Sequence, residues 1–139
     1  MTPKEYLSQA ILLDEKIETN LEVVEGLKSR VFGTSAKMSD DVRVQTSDRV
    51  DFTDTIDKII DLERIINQEI DELIDLKKKL TLEINGLENN TYSLLLMKRY
   101  ILDKKLYEIA KEMCYSYGAI RNMHGLALEE FGKKYLKQK

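Results

Sequence analysis

The side chains best suited to recognising another molecule lie between residues 104 and 125. Arg121 can donate two parallel hydrogen bonds to a guanine base or to a phosphate, and Asn122 can pair with adenine in a similar way. Basic and hydroxyl-bearing residues that suit a phosphate backbone stand nearby, together with two glycines that would permit close approach. The candidate binding residues are Lys104, Lys105, Tyr107, Ser116, Tyr117, Gly118, Arg121, Asn122 and Gly125. These residue types indicate recognition of double-stranded DNA.

The charge of the chain is divided between its two parts. Residues 1–97 contain 12 Lys and Arg against 20 Asp and Glu, a net charge of −8, whereas residues 98–139 contain 10 against 5, a net charge of +5. Such an asymmetry favours a basic part, residues 98–139, that binds a polyanion, and an acidic part, residues 1–97, with a different function. The alternative is a lysine-rich tail that merely keeps the end of a helix soluble.

Two apolar faces at helical spacing could position the candidate residues. Each face predicts a helix, and Ser116, which lies between the two, is a suitable N-cap for the second helix. This cap would leave backbone N–H groups of the following turn free for a phosphate. Ala110 is small enough to let the helices approach each other. The two faces consist of Leu106, Ile109, Ala110 and Met113, and of Ile120, Met123, Ala127, Leu128 and Phe131. Faces of this kind, joined by a tight turn, predict a helix-turn-helix with a recognition helix over residues 117–131.

Several short sequence motifs follow one another along residues 94–128. They are Leu94 to Met97 with Arg99-Tyr100, then Glu108-Ile109-Ala110, then Met113 to Ser116, and finally Ile120-Arg121-Asn122 with Ala127-Leu128. This order resembles region 4 of sigma-70-type factors, and the resemblance implies a DNA-reading helix-turn-helix. Cys114 stands where that family has Gly in the turn, and Lys105 where it has a Thr cap, so we expect Asp103 to cap the helix instead. The lone His124 is expected near the DNA-facing edge.

The upstream part of the chain has the pattern of long helices. Thr2-Pro3 is a good helix start, and a stripe of apolar residues then recurs until Gly33. The stripe comprises Leu7, Ile11, Leu13, Ile17, Leu21, Val24, Leu27 and Val31. The period is lost over residues 33–53, which are rich in Ser, Thr and Asp and are predicted to form a mobile loop.

A second long helix is predicted from about residue 54 to residue 86, with Thr53 or Asp54 as its cap. Its heptad pattern runs through Ile56, Ile59, Glu63, Ile66, Ile70, Leu73, Lys77, Leu80, Ile84 and Leu87. The charged residues Glu63 and Lys77 would set register. Additional isoleucines and leucines widen the stripe, which favours a homo-oligomer, a dimer or higher, over a monomer in which the first helix alone covers the second.

These observations predict an all-α protein. Residues 1–88 are expected to form a long antiparallel coiled-coil helical hairpin that oligomerises, and residues 89–139 a C-terminal helix-turn-helix domain that binds DNA. No apolar run approaches the roughly 20 residues that a transmembrane helix needs, and no signal-peptide pattern opens the chain, so a cytoplasmic protein is expected. A single cysteine and a single histidine provide neither a metal site nor a nucleophilic pair. We therefore expect no metal, no cofactor and no enzymatic activity.

The complete layout resembles small late transcription regulators of phages and prophages of Gram-positive bacteria, some of them known only as domains of unknown function. The resemblance implies a regulator of phage promoters that could also contact RNA polymerase. A region for promoter melting finds no room, so a complete sigma factor is not expected. Two alternatives remain open: a small DNA-packaging subunit of the terminase type, and a helical module that binds RNA polymerase or another host protein instead of DNA.

Overall fold

The computed structural model describes residues 1–32 and 46–136, with only the backbone described for residues 46–51. Within these ranges the protein is all-α, as predicted, and contains no strand. The elements are α1 Pro3–Phe32, α2 Thr46–Asn85, α3 Asn90–Leu96, a π-helical segment Met97–Ile101, α4 Leu106–Met113 and α5 Tyr117–Tyr135. The short elements all lie downstream of two long helices.

The start of α1 follows the sequence prediction. The Thr2 hydroxyl accepts a hydrogen bond from the Glu5 amide at 3.1 Å, and the Glu5 carboxylate accepts one from the Thr2 amide at 2.9 Å. Pro3, which has no amide hydrogen, takes the first helical position. This reciprocal capping satisfies two backbone donors that a helix N-terminus otherwise leaves unpaired.

Helix α2 is longer than the sequence predicted. It begins at Thr46 rather than near residue 54, so Thr53 and Asp54 lie inside the helix and neither caps it. The expected loop over residues 33–53 is therefore wrong for residues 46–53, and its remainder lies outside the described residues. One contact supports the extension: Phe52 packs edge-on against Phe32, with ring centroids 5.9 Å apart. Adding turns to an existing helix is also far easier than starting one.

The chain forms two compact units that do not follow the expected boundary at residue 88. The described residues of Met1–Leu13 and Leu73–Lys139 form one, here called the five-helix unit, and those of Asp14–Glu72 form the other, the two-helix unit. The division differs from the expected one because the ends of α1 and α2 pack with the C-terminal helices.

In the two-helix unit, α1 and α2 contact each other along an apolar seam that contains a buried polar group. Glu69 is almost fully buried, and it accepts a hydrogen bond from the Asn20 amide at 2.8 Å. Lys16 approaches the same carboxylate at 3.4 Å. Leu21, expected in the apolar stripe, is instead exposed, because its neighbour Asn20 takes the inward position. The buried apolar residues of the seam are Ile17, Val24, Ile59 and Ile66.

In the five-helix unit, α5 is held by close contacts at its C-terminal end. The centroids of the Tyr6 and Phe131 rings are 5.8 Å apart. Gly132 lies so near Pro3 that a Cβ at position 132 would be 2.7 Å from the proline Cγ. Lys134 donates a hydrogen bond to the Gly86 carbonyl. The fully buried large side chains of this unit are Leu7, Leu80, Ile84, Leu95, Leu96, Tyr100, Ile109, Ile120 and Phe131. Helix α5 is thus fixed at one end while its other end carries most of the candidate residues.

Candidate nucleic-acid interface

Helices α4 and α5 are joined by a turn of three residues. The Tyr115 amide donates to the Ala110 carbonyl at 2.9 Å, and the Cys114 amide donates to the Lys111 carbonyl at 3.3 Å. Cys114 has a φ of 63°, in the left-handed region. These features form a Schellman motif, in which the left-handed residue reverses the chain and satisfies the last carbonyls of the helix.

Helix α5 begins immediately after this turn. Ser116 has extended backbone geometry, and its hydroxyl accepts a hydrogen bond from the Ala119 amide at 3.1 Å. Ser116 is therefore the N-cap that the sequence predicts. The cap hydroxyl is occupied by this bond, whereas other amides of the first turn have no partner within the helix.

A small apolar cluster fixes the angle between the two helices. Its buried members come from α3, α4 and α5, and partly buried side chains close its edges. They are Leu95, Ile109, Ala110 and Ile120, with Leu106, Met113 and Met123 at the edges. All four residues of the first expected apolar face meet Ile120 and Met123 of the second face in this cluster, so the outer side of α5 is held toward solvent.

The outer side of α5 carries five of the nine candidate residues. At 100° per residue they fall within an arc of about 140°, and all five are exposed. A Cβ added at Gly118 or at Gly125 would contact nothing within 4 Å, so these glycines leave the helix backbone open to an approaching molecule. Glu129 lies on the same side two turns beyond Arg121, which places the cationic part of this surface in the first two turns. The five residues are Tyr117, Gly118, Arg121, Asn122 and Gly125.

Arg121 lies over an aromatic ring and is free of carboxylates. Its guanidinium carbon is 5.7 Å from the centre of the Tyr117 ring. Among the described side chains, those of residues 1–32 and 52–136, no Asp or Glu carboxylate lies within ion-pair distance of Arg121. The guanidinium donors therefore remain available to a ligand.

The start of α4 presents two further candidates, Lys105 and Tyr107, and both are exposed. The Glu108 carboxylate accepts a hydrogen bond from the Lys105 amide at 3.0 Å, which caps this end of the helix. Asp103 does not provide the cap that we expected. It has a φ of 57°, and its carboxylate pairs with Arg99 at 3.5 Å.

Lys104 differs from the other candidates because its charge is already paired. Its ammonium group lies 2.5 Å from one Glu112 oxygen, and the Lys98 ammonium lies 2.6 Å from the other. The hydrogen bonds from Lys104 and Lys98 lower the pKa of the Glu112 carboxyl. The sequence contained no signal for this cluster, since the three residues belong to different elements and their spacing follows no helical period. Lys104 is therefore a weaker candidate for phosphate binding than its neighbour Lys105.

His124 is partly buried at the edge of the exposed surface of α5, about 20° around the helix from Tyr117 at 100° per residue. Its Nε2 is 2.8 Å from the Tyr100 hydroxyl oxygen, and the two rings stack. Burial lowers the pKa of His124, and the nearby charges of Arg99 and Lys4 lower it further. The side chain thus anchors α5 to the π-helical segment.

Two further residues near the candidate binding residues, Lys111 and Tyr115, are exposed, and they were not selected from the sequence. Tyr115 lies in the turn between the helices, and Lys111 has no carboxylate partner among the described residues. Their exposure depends on the angle between α4 and α5, which residue types do not encode.

No protein-family model, curated protein or solved structure matches this chain. Among the described residues, no group of three or more His, Cys, Asp and Glu side chains is arranged to hold a metal ion. None of the described helices combines the length and the apolar character that crossing a membrane requires.

Proposed function

We propose that this chain is a sequence-specific DNA-binding protein that regulates transcription. The observation that carries the proposal is the exposed surface of α5, where Arg121 stands beside Asn122 and has no carboxylate partner in the described part of the chain. Arginine and asparagine at adjacent exposed positions are the residue types that read guanine and adenine in the major groove. Two open glycines on the same side allow a base edge to come close.

In this proposal α4 and α5 act as a helix-turn-helix. The first turns of α5 enter the major groove, and the start of α4 crosses the sugar-phosphate backbone. Lys105 and Tyr107 then contact phosphates, and the first-turn amides after Ser116 contribute a site of positive potential. Lys104 contributes less, because its ammonium group is already paired with the Glu112 carboxylate.

The two long helices are proposed to form an antiparallel helical hairpin. Two ion pairs support this arrangement: Lys16 pairs with Glu69, whereas the later residue Lys28 pairs with the earlier residue Glu63. Partners that run in opposite sequence directions are what an antiparallel pair requires. The two side chains of the second pair are 39% and 41% exposed, so the pair indicates direction and adds little stability.

A homo-oligomer completes the proposal, with a second copy of the chain covering apolar positions that α2 leaves exposed. Ile60, Ile65, Ile74 and Leu82 each expose between 46% and 65% of their surface. Ile60, Ile74 and Leu82 fall within about 80° around the helix. Pairing two copies would place two recognition helices at a fixed spacing on DNA, and a palindromic site would reflect that symmetry.

The assignment to transcription rests on the resemblance of residues 94–131 to region 4 of sigma-70-type factors. By that resemblance we propose a cytoplasmic regulator of phage or prophage promoters that also contacts RNA polymerase.

The test is selection of bound fragments from sheared genomic DNA of the source strain, near physiological salt, followed by sequencing. Arg121→Ala is selected in parallel, with Arg64→Ala as a matched control, since Arg64 is an exposed arginine of α2. We expect enrichment of one promoter-like segment by the wild type and by Arg64→Ala, and its loss with Arg121→Ala. Binding without sequence preference would instead favour DNA packaging. No recovery at all would favour a module that binds protein.

A further inference from the structure

We infer that Tyr117 is a positioning residue that holds Arg121 ready to read a guanine. The inference rests on the proposed function and deepens it, because it names the base and adds a residue that acts through another. Tyr117 and Arg121 are four residues apart in α5, so their side chains are neighbours on the same side of the helix. The guanidinium carbon lies 5.7 Å from the ring centre, within the range of a cation–π contact.

The Tyr117–Arg121 contact differs from an ordinary surface interaction in the partners that surround it. Three other cationic side chains of the five-helix unit have carboxylate partners: Lys98 and Lys104 pair with Glu112, and Arg99 pairs with Asp103. Arg121 has only the ring as a partner among the described residues. An aromatic face attracts the cation without occupying its N–H groups in the plane of the guanidinium, so all five donors stay available.

The N–H donors of Arg121 match the hydrogen-bond acceptors of guanine. Guanine presents two acceptors, N7 and O6, on its major-groove edge, and a planar guanidinium can donate to both at once. A free arginine side chain loses rotamer freedom when it makes such a contact, and this loss weakens binding. Because the Tyr117 ring already restricts the guanidinium, less freedom remains to be lost when guanine is bound.

The contact predicts a specific dependence between two residues. Leucine at position 117 would keep an apolar side chain but remove the ring, so it should lower the preference for guanine by about 2- to 12-fold. Phenylalanine keeps the aromatic face and should retain the preference. Tyr115→Leu is the matched control, because Tyr115 is 44% exposed against 51% for Tyr117 and has no arginine over its ring among the described residues.

The experiment measures affinity for the duplex enriched by the wild-type protein and for duplexes with each base pair replaced in turn. The position at which Arg121→Ala loses its preference identifies the guanine, and 7-deazaguanine at that position removes the N7 acceptor. Tyr117→Leu, Tyr117→Phe, Tyr115→Leu and the Tyr117→Leu/Arg121→Ala double variant are then compared at that position. Far-UV circular dichroism verifies that each variant retains its helices.

We expect Tyr117→Leu to lower the preference for guanine at that one position, and to have no further effect on the preference when Arg121 is already alanine. We also expect Tyr117→Phe and Tyr115→Leu to behave as the wild type. Equal loss of affinity for every duplex with Tyr117→Leu would overturn the positioning role, because the hydroxyl or ring would then contact the backbone directly. Specific binding that no Tyr117 variant alters would overturn this inference but leave the proposed function intact. If the wild type prefers no duplex, both fail.

Discussion

The Tyr100 hydroxyl oxygen lies 2.8 Å from Nε2 of His124, and the centres of the two rings are 5.7 Å apart. Tyr100 is fully buried in the π-helical segment, and burial raises its pKa to about 12. The tyrosine therefore stays neutral at physiological pH. This pair joins the segment before α4 to the middle of α5, and so it helps to determine the orientation in which α5 presents Arg121.

The first prediction is that stability falls when His124 becomes protonated. Its pKa is lowered from 6.5 in the folded protein, so the unfolded chain binds a proton more readily. The free energy of unfolding should be at its full value above about pH 6.5 and should fall as the pH drops through the lowered pKa. His124→Gln keeps a polar side chain at this position but cannot titrate. Urea unfolding of both proteins between about pH 5 and pH 7 should show the decline only in the wild type, whereas parallel profiles would contradict the prediction.

The second prediction compares two glycines of α5 that have opposite surroundings. Gly125→Ala should stabilise the protein by about 1 kcal/mol, because alanine favours a helix and nothing lies within 4 Å of the new Cβ. Gly132→Ala should destabilise it, because the new Cβ would be 2.7 Å from the Pro3 Cγ and overpacking costs about 1–3 kcal/mol. Thermal unfolding of both variants provides the measurement. A gain for Gly132→Ala would show that α5 is not held against the start of α1.

The third prediction concerns the left-handed turn. Cys114→Gly should stabilise the protein by about 1 kcal/mol, because glycine adopts a φ of 63° without the steric cost that a Cβ imposes. Cys114→Ala is the control, since it removes the thiol but keeps the Cβ, and we expect little change from it. Equal effects of the two variants on the urea midpoint would mean that the thiol, and not the backbone, determines stability here.

The fourth prediction concerns the buried polar group in the two-helix unit. Asn20→Ala removes a hydrogen-bond donor from the almost buried Glu69 and should cost about 1–3 kcal/mol. Replacing both residues together, as Asn20→Leu/Glu69→Leu, should restore or exceed wild-type stability, because no polar group is then left unsatisfied. Urea unfolding of Asn20→Leu, Glu69→Leu and the double variant measures the coupling free energy between the two side chains. If the double variant loses as much as the two single variants combined, the two side chains do not act as a pair.

Helical periodicity predicted much of the fold. The alternating steps along α2 place Ile59, Ile66, Leu73, Leu80 and Ile84 on one side, and all five are buried. The caps Thr2 and Ser116 also follow from the sequence, because their hydroxyls precede runs of helical pattern and satisfy local amides. Local signals of this kind need no knowledge of the tertiary contacts.

Other features depend on contacts between distant residues and could not be read from the sequence. The polar segment at Thr46–Asp54 has the composition of a loop, yet the contact of Phe52 with Phe32 supports a helix there. The inward turn of Asn20 depends on Glu69, a residue 49 positions away. At the candidate interface, residue types identified Lys104 and Lys105 alike, and only the position of Glu112 distinguishes them.

The most direct test of DNA binding through α4 and α5 is the salt dependence of affinity for duplex DNA, measured by fluorescence anisotropy. For each phosphate contact, the slope of log affinity against log salt concentration should become steeper by about 0.9. We expect a strong dependence for the wild type, a slope reduced by about 1 for Lys105→Ala, and an unchanged slope for Lys58→Ala, which removes an equal charge from α2. Binding that does not depend on salt, or equal slopes for Lys105→Ala and the wild type, would contradict the proposed docking of this surface on DNA.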